Sequence, residues 1–171
     1  DLEATQAPLS SLARLPAGWE WSRLGDVCKT TSGGTPSRKN AEYFTGDIPW
    51  VKSGELPDGI VTNVEERITE EAVANSSAKL FPAGTLLIAL YGATVGKLGI
   101  LKEDATTNQA VCAIFPSEHF YTKYLFWYLR FVRADLVAQA IGGAQPNISQ
   151  GILRTLPIPV APLDQQKRVV A

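Results

Sequence analysis

Apolar residues fall along this chain in two rhythms. Between residues 48 and 115 they come in short bursts: Ile48-Pro49-Trp50-Val51, Thr85-Leu86-Leu87-Ile88-Ala89-Leu90, VGKLGIL and QAVCAIF. Each burst is bounded by turn formers such as PAG or by the polar run KEDATTN, so each reads as a strand. Leu24 to Thr31 reads as a further short strand, and Pro49 places its own strand at a sheet edge, because proline cannot donate to a ladder. Trp19 and Trp21 sit two apart, share one face of an extended segment and close one edge of the core.

The rhythm changes after Pro116. Tyr121, Tyr124, Leu125, Tyr128, Leu129 and Val132 recur at helical spacing, which predicts one or two amphipathic helices over 120–140. Their aromatic stripe could stack on bases, but at this spacing a core role is favoured. A shorter helix opens at Thr69, with Thr69 as its cap and Glu70 and Glu71 matching the positive end of its dipole. GGAQPN breaks the long helical segment, and Asn147 with Gln150 fits a capping pair for a short helix through Leu153. Leu156, Ile158 and Val160 alternate as an edge strand, and Pro162-Leu163-Asp164 begins another helix. Strands without long helices between them imply an α+β domain with a curved, mostly antiparallel sheet and helices packed on it.

Composition adds limits. A chain of 171 residues, 45% hydrophobic and 19% charged, is one ordinary domain with a real core. Its longest apolar runs fall far short of the 18 or so residues of a membrane span. The chain starts with Asp, holds no Met and ends in a helical pattern at KRVVA, and is read as a piece of a longer protein. Residues 1–14 lack periodicity and read as a flexible tail. Cys28 and Cys112 stand apart from any metal-ligand spacing and read as reduced core thiols. His119, the single histidine, lies beside a turn without a positioned partner, so it is no general base.

The net charge of −1 argues against nucleic acid until position is considered. Residues 61–80 carry four acids (Glu65, Glu66, Glu70, Glu71) against two bases, whereas 111–171 carry six bases (Lys123, Arg130, Arg133, Arg154, Lys167, Arg168) against three acids. That asymmetry fits either an ordinary solvated surface or a local footprint for a polyanion.

YGATVGK at 91–97 has the look of a phosphate loop but fails the pattern. A Walker loop needs four residues between its glycines and a Ser or Thr after the lysine. Here three residues separate Gly92 from Gly96, and Leu98 stands where the hydroxyl belongs. The following LGIL reads as a strand, not the helix whose N-terminus completes an anion site. The stretch is better read as a strand-end loop in which Gly92 and Gly96 let the backbone turn. Tyr91, Thr94 and Lys97 then either face a ligand or merely fold the turn.

Five phrases occur in order: LPAGWEWSRLGDV, GGTPSRKNAEYFTGDIPW, PAGTLLIALYGATVGKLGIL, TTNQAVCAI and GGAQPNISQGILRTLPIPVAPLDQQ. Together they closely resemble a target recognition domain of the specificity (S) subunit of type I restriction-modification systems, over about residues 15–171. The resemblance implies a non-catalytic, cytoplasmic, DNA-binding module that reads one half of a split target in double-stranded DNA. It implies residues 15–161 as the recognition domain and 162–171 as the start of a long spacer helix leading to a second recognition domain. Modification (methyltransferase) subunits would bring S-adenosylmethionine and methylate adenine at N6. A restriction subunit would use ATP and Mg. No cofactor is expected in this chain.

Residue types then mark candidate contacts. Thr35, Ser37, Arg38 and Lys39 lie in the Gly-loosened SGGTPSRKN loop, and Lys52 follows Trp50; Lys and Arg serve both phosphate and guanine. Tyr91, Thr94 and Lys97 belong to the 91–97 loop, and Gln145 and Asn147 carry amides of the kind that pair with adenine, although capping suits Asn147 better. Shared phrases are better scaffold than base readers, so 53–80 and 130–145 are also expected to carry specificity. Two other classes stay open: an assembly domain of the same fold that reads no DNA, and a phosphate-processing enzyme using Lys97.

Overall fold

The computed structural model describes residues 8–140 and 147–171. Its elements run β1 (Glu20–Arg23), α1 (Leu24–Val27), β2 (Thr30–Ser32), β3 (Ile48–Val51), β4 (Gly59–Val61), β5 (Glu66–Ile68), α2 (Glu70–Ala74), β6 (Leu86–Ala89), β7 (Leu98–Leu101), β8 (Thr106–Thr107), β9 (Val111–Ile114), α3 (Thr122–Phe131), α4 (Arg133–Ala138), α5 (Gln150–Thr155), β10 (Pro157–Val160) and α6 (Leu163–Val169). Short 3-10 turns at Leu9–Ser11, Ala41–Phe44 and Ser53–Glu55 complete the path. The α+β class and the antiparallel bias agree with expectation. The strands are shared among three sheets, ordered β2-β9-β6-β7-β4, β5-β3-β8 and β1-β10, with β4–β7 and β3–β8 parallel.

The apolar bursts are continuous because the five-stranded sheet is covered on both faces. Leu86 and Ile88 of β6, with Cys112 and Ile114 of β9, pack in one cluster beside Leu125, Leu129, Leu136 and Leu153 of the helices. Leu87, Ala89, Val111 and Ala113 face the other way onto Phe81, Val51 and Leu56. A third cluster, around Trp50 and Ile68, fills the far side of β3. Each large aliphatic side chain buried this way contributes about 1.5–3 kcal/mol.

The helices after Pro116 fall where the periodicity places them, and the aromatic stripe is core. Tyr124, Leu125 and Leu129 are buried, and the Tyr124 and Tyr128 hydroxyls each donate to a β10 carbonyl, those of Pro159 and Pro157, at 2.8 Å. Thr69 caps α2 as expected, its hydroxyl accepting from the Ala72 N–H. Both cysteines are free and buried, and burial pushes Cys28 up to about 11 and Cys112 up to about 12.

Four local expectations are corrected. Leu24 to Thr31 is not one strand: a single helical turn, α1, precedes β2, because Leu24 must bury fully and hang its N–H on the Leu156 carbonyl at 3.0 Å. Pro49 is not on an edge, since β3 lies between β5 and β8. It is tolerated there because the β8 ladder begins one residue later, at Trp50, and the Pro49 carbonyl instead receives the Thr106 hydroxyl at 2.8 Å. Trp19 and Trp21 take different partners: Trp19 packs edge-on to Tyr124, while Trp21 donates its indole N–H to Ala13. Finally, Ser149 rather than Asn147 caps α5, its hydroxyl accepting from Ile152.

Helix α6 is tied to the domain by a buried amide. Gln166 has no exposed surface; its Oε1 accepts from the Tyr121 N–H, and its Nε2 donates to the His119 and Ala161 carbonyls, all at 2.8 Å. Trp19 adds an indole hydrogen bond to Gln165 at 2.7 Å. Gln166→Leu keeps the volume but orphans those backbone groups. It is expected to lower the unfolding free energy by about 2–3 kcal/mol, seen as a lower urea midpoint at an unchanged m-value.

Candidate nucleic-acid interface

Strand direction decides which segments meet. Ser32 faces Cys112, Cys112 faces Ile88, Ile88 faces Leu98, and Gly99 pairs with Gly59. Thus β2 and β6 end, and β9, β7 and β4 begin, at the same end of the five-stranded sheet. Segments 33–40, 52–58, 90–97 and 108–110 all emerge there. Ile148 joins them through its N–H to the Leu90 carbonyl at 2.7 Å, and Asn147 bridges Tyr91. Every described candidate residue lies on one of these segments except Asn147, which meets them through its bridge to Tyr91. Gln145 lies outside the described residues.

Each loop is braced. Gly33 and Gly34 press so closely on neighbouring chain that an added Cβ would sit 2.0 Å from the Thr107 hydroxyl or 2.2 Å from that of Ser77. Trp50 donates its indole N–H to the Gly34 carbonyl at 3.0 Å, and the exposed Thr35 hydroxyl donates to the Gln109 amide oxygen. Gly92 and Gly96 have φ of 90° and 81°, the left-handed turns that a tight strand-end loop requires. Within that loop Thr94 donates to the Ser53 carbonyl at 3.0 Å, which ties 91–97 to 53–55. Lys97 and Lys39 are exposed, with no carboxylate partner among the described residues.

Arg38 and Lys52 are placed differently. The Arg38 guanidinium is bidentate on Glu66, with Nη2 to Oε2 at 2.9 Å, and lies 4.3 Å from the Phe44 ring centroid and 4.9 Å from that of Trp50. Lys52 Nζ reaches Glu65 at 2.9 Å and Glu66 at 3.1 Å. Glu55 accepts the Lys52 and Glu65 N–H groups at 2.8 and 2.9 Å. The Arg38 hydrogen bonds, against a smaller opposing effect of burial and with help from Lys52, hold the Glu66 carboxyl down at about 2. On the other flank Arg133 of α4 pairs with Asp58, which also accepts the Leu98 N–H at 3.0 Å. Burial alone would raise Asp58, but the Arg133 and Leu98 hydrogen bonds outweigh it and keep the carboxyl low. The stretches 53–66 and 130–140 therefore do reach this end.

Sequence reading misses Gln109, an exposed amide hydrogen-bonded to Thr35, because QAVCAIF reads as a strand from its first residue whereas β9 begins only at Val111. It also misses Glu66, whose partner Arg38 is 28 residues away and becomes adjacent only when β5 pairs with β3. Among the described residues no cluster of His, Cys, Asp or Glu has metal-binding geometry, and no helix is long and apolar enough to cross a membrane.

Residues 16–171 match the family model described as the type I restriction modification DNA specificity domain. The chain belongs to this family. Among its relatives, the specificity subunit of the Escherichia coli type I restriction enzyme EcoR124I/EcoR124II is 34% identical over 88% of this chain and 39% of its own length. The MjaIX specificity subunit of Methanocaldococcus jannaschii is 30% identical over 95% of this chain and 39% of its own. This specificity domain thus spans about 39% of the length of those relatives. In three dimensions it superposes with a TM-score of 0.75 and 25% identity on a chain from work on complex assembly and conformational transition of the type I R-M system, covering 99% of this chain and 40% of that one. The HsdS subunit of Thermoanaerobacter tengcongensis shares the fold, with a TM-score of 0.74 and 24% identity over 92% of this chain and 37% of that one.

The folded Glu66 value lies below the 4.5 of a free glutamate, so its ion pairs contribute in full above about pH 4.5 and are lost as pH falls toward about 2. Because Arg38 is half exposed, the contribution is about 1 kcal/mol or less. The stability gap between the wild-type domain and Glu66→Gln is expected to stay constant from about pH 5 to 8 and to close on acidification, as read by urea melts across pH.

Proposed function

We propose that this domain reads one half of a split target in double-stranded DNA and positions partner subunits that methylate adenine at N6 and restrict unmodified DNA. The observation that carries this reading is the gathering, at one end of the sheet, of donors and cations from four separated segments. Thr35, Ser37, Lys39, Tyr91, Thr94, Lys97 and Asn147 form the proposed contact set, with Gln109 added. Hydroxyls and lysines suit phosphates, and the amides of Asn147 and Gln109 suit base edges. Residues 15–161 make the recognition domain, and 162–171 begin the spacer toward a second one. The chemistry is assigned to partners bearing S-adenosylmethionine, ATP and Mg, in the cytoplasm.

An assembly domain that reads no DNA is the second reading. It is favoured by Glu55, Glu65 and Glu66, which crowd the same end and neutralise Arg38 and Lys52. A methylation map separates the two. The full-length parent and its modification subunit, expressed in a methylation-free host, should yield N6-methyladenine in a split motif, one half of which changes when this domain is swapped. No methylation from a co-purifying pair would support the assembly role. On the DNA reading, Lys39→Ala and Lys97→Ala should each flatten the slope of log affinity against log salt by about 1, with melting unchanged.

A further inference from the structure

We infer that Arg38 is a positioning residue, not a DNA contact: clamped by Glu66 and packed against the Phe44 and Trp50 rings, it fixes the 33–40 loop in the register in which Thr35, Ser37 and Lys39 meet the duplex. The inference rests on the reading that this end of the sheet binds DNA.

The guanidinium has little left to offer a ligand. One edge is used by both oxygens of Glu66, and its surroundings include two aromatic rings within 5 Å of Cζ. A phosphate taking that edge would displace Glu66 and leave a carboxylate facing the incoming anion. Glu66 is itself anchored: it lies on β5 directly opposite Trp50 in the ladder and accepts Lys52 on its outer side. The loop is therefore pinned to the three-stranded sheet at two points, Gly34 through the Trp50 indole and Arg38 through Glu66, with Pro36 buried between them. Thr35 and Ser37 are exposed between the pins, and Lys39 follows directly. A planar fork with stacking faces suits such a clamp, and lysine cannot replace it.

The test uses the full-length chain assembled with its modification subunits. Two probes are compared: a duplex bearing the motif recovered by the methylation map, and one of unrelated sequence. Arg38→Lys keeps the charge, and Glu66→Gln, at a partly buried position, removes the negative charge and one of the two acceptors that hold the guanidinium. Positioning predicts that both variants lower the target-to-unrelated affinity ratio about tenfold, while the Arg38→Lys complex keeps its salt slope and both variants stay folded and assembled, with melting temperatures within a few degrees of wild type. A raised ratio in Glu66→Gln would show Arg38 contacting DNA itself, an unchanged one would show that the charged clamp is not needed, and an unchanged ratio in Arg38→Lys would show that charge alone suffices; each overturns the inference. A wild-type complex that binds both duplexes equally overturns the functional reading beneath it.

Discussion

The ladder of β6 against β7 and β9 is covered on both faces, and most of the architecture follows from that burial. Leu86 and Ile88 look one way and Leu87 and Ala89 the other, so neither face is left for a ligand. What remains accessible is where strands stop. Because the strands alternate in direction, one end of the sheet collects loops that are far apart in sequence, and the rigid ladder holds them in fixed relation. A reading surface needs such rigidity, since base contacts discriminate only when their donors arrive in register.

Electrostatics at that end are more restrained than a count of lysines and arginines implies. Glu66 answers Arg38 and Lys52, Glu65 answers Lys52 again, and Asp58 answers Arg133. Lys39 and Lys97, both on loop segments, are among the cations left without carboxylate partners among the described residues. A near-neutral surface with a few free charges limits affinity for arbitrary DNA, because counterion release scales with the number of phosphates neutralised. On the proposed function, such a domain would gain its hold from a second linked site, which raises effective concentration. The buried Gln166 and the Trp19–Gln165 bond fix how α6 packs on the rest of the fold.

Much of this was legible from residue order. The strands at 86–89, 98–101 and 111–114, the helices over 122–138, the Thr69 cap and the reading of YGATVGK as a turn between strands all rest on local rules: burial rhythm, capping chemistry and glycine conformation. Where reading failed, a distant partner had overridden local preference. Leu24 was drawn into a helical turn by the Leu156 carbonyl, Pro49 was excused from the edge by the Thr106 hydroxyl, and Asn147 was drawn into a bridge with Tyr91, leaving the cap to Ser149.

The sequence by itself determined the class of element at most positions, the aromatic core of α3 and, through five ordered phrases, the family. Those properties depend on neighbours within a few residues or on composition, so they survive without coordinates. Only the tertiary structure decided that segments 33–40, 52–58, 90–97 and 108–110 share one end, and that Arg38 is spent on Glu66 while Lys39 and Lys97 are not. Charge and donor count are written in the chain, but whether a charge is free depends on which strand pairs with which, and that pairing is set by long-range burial.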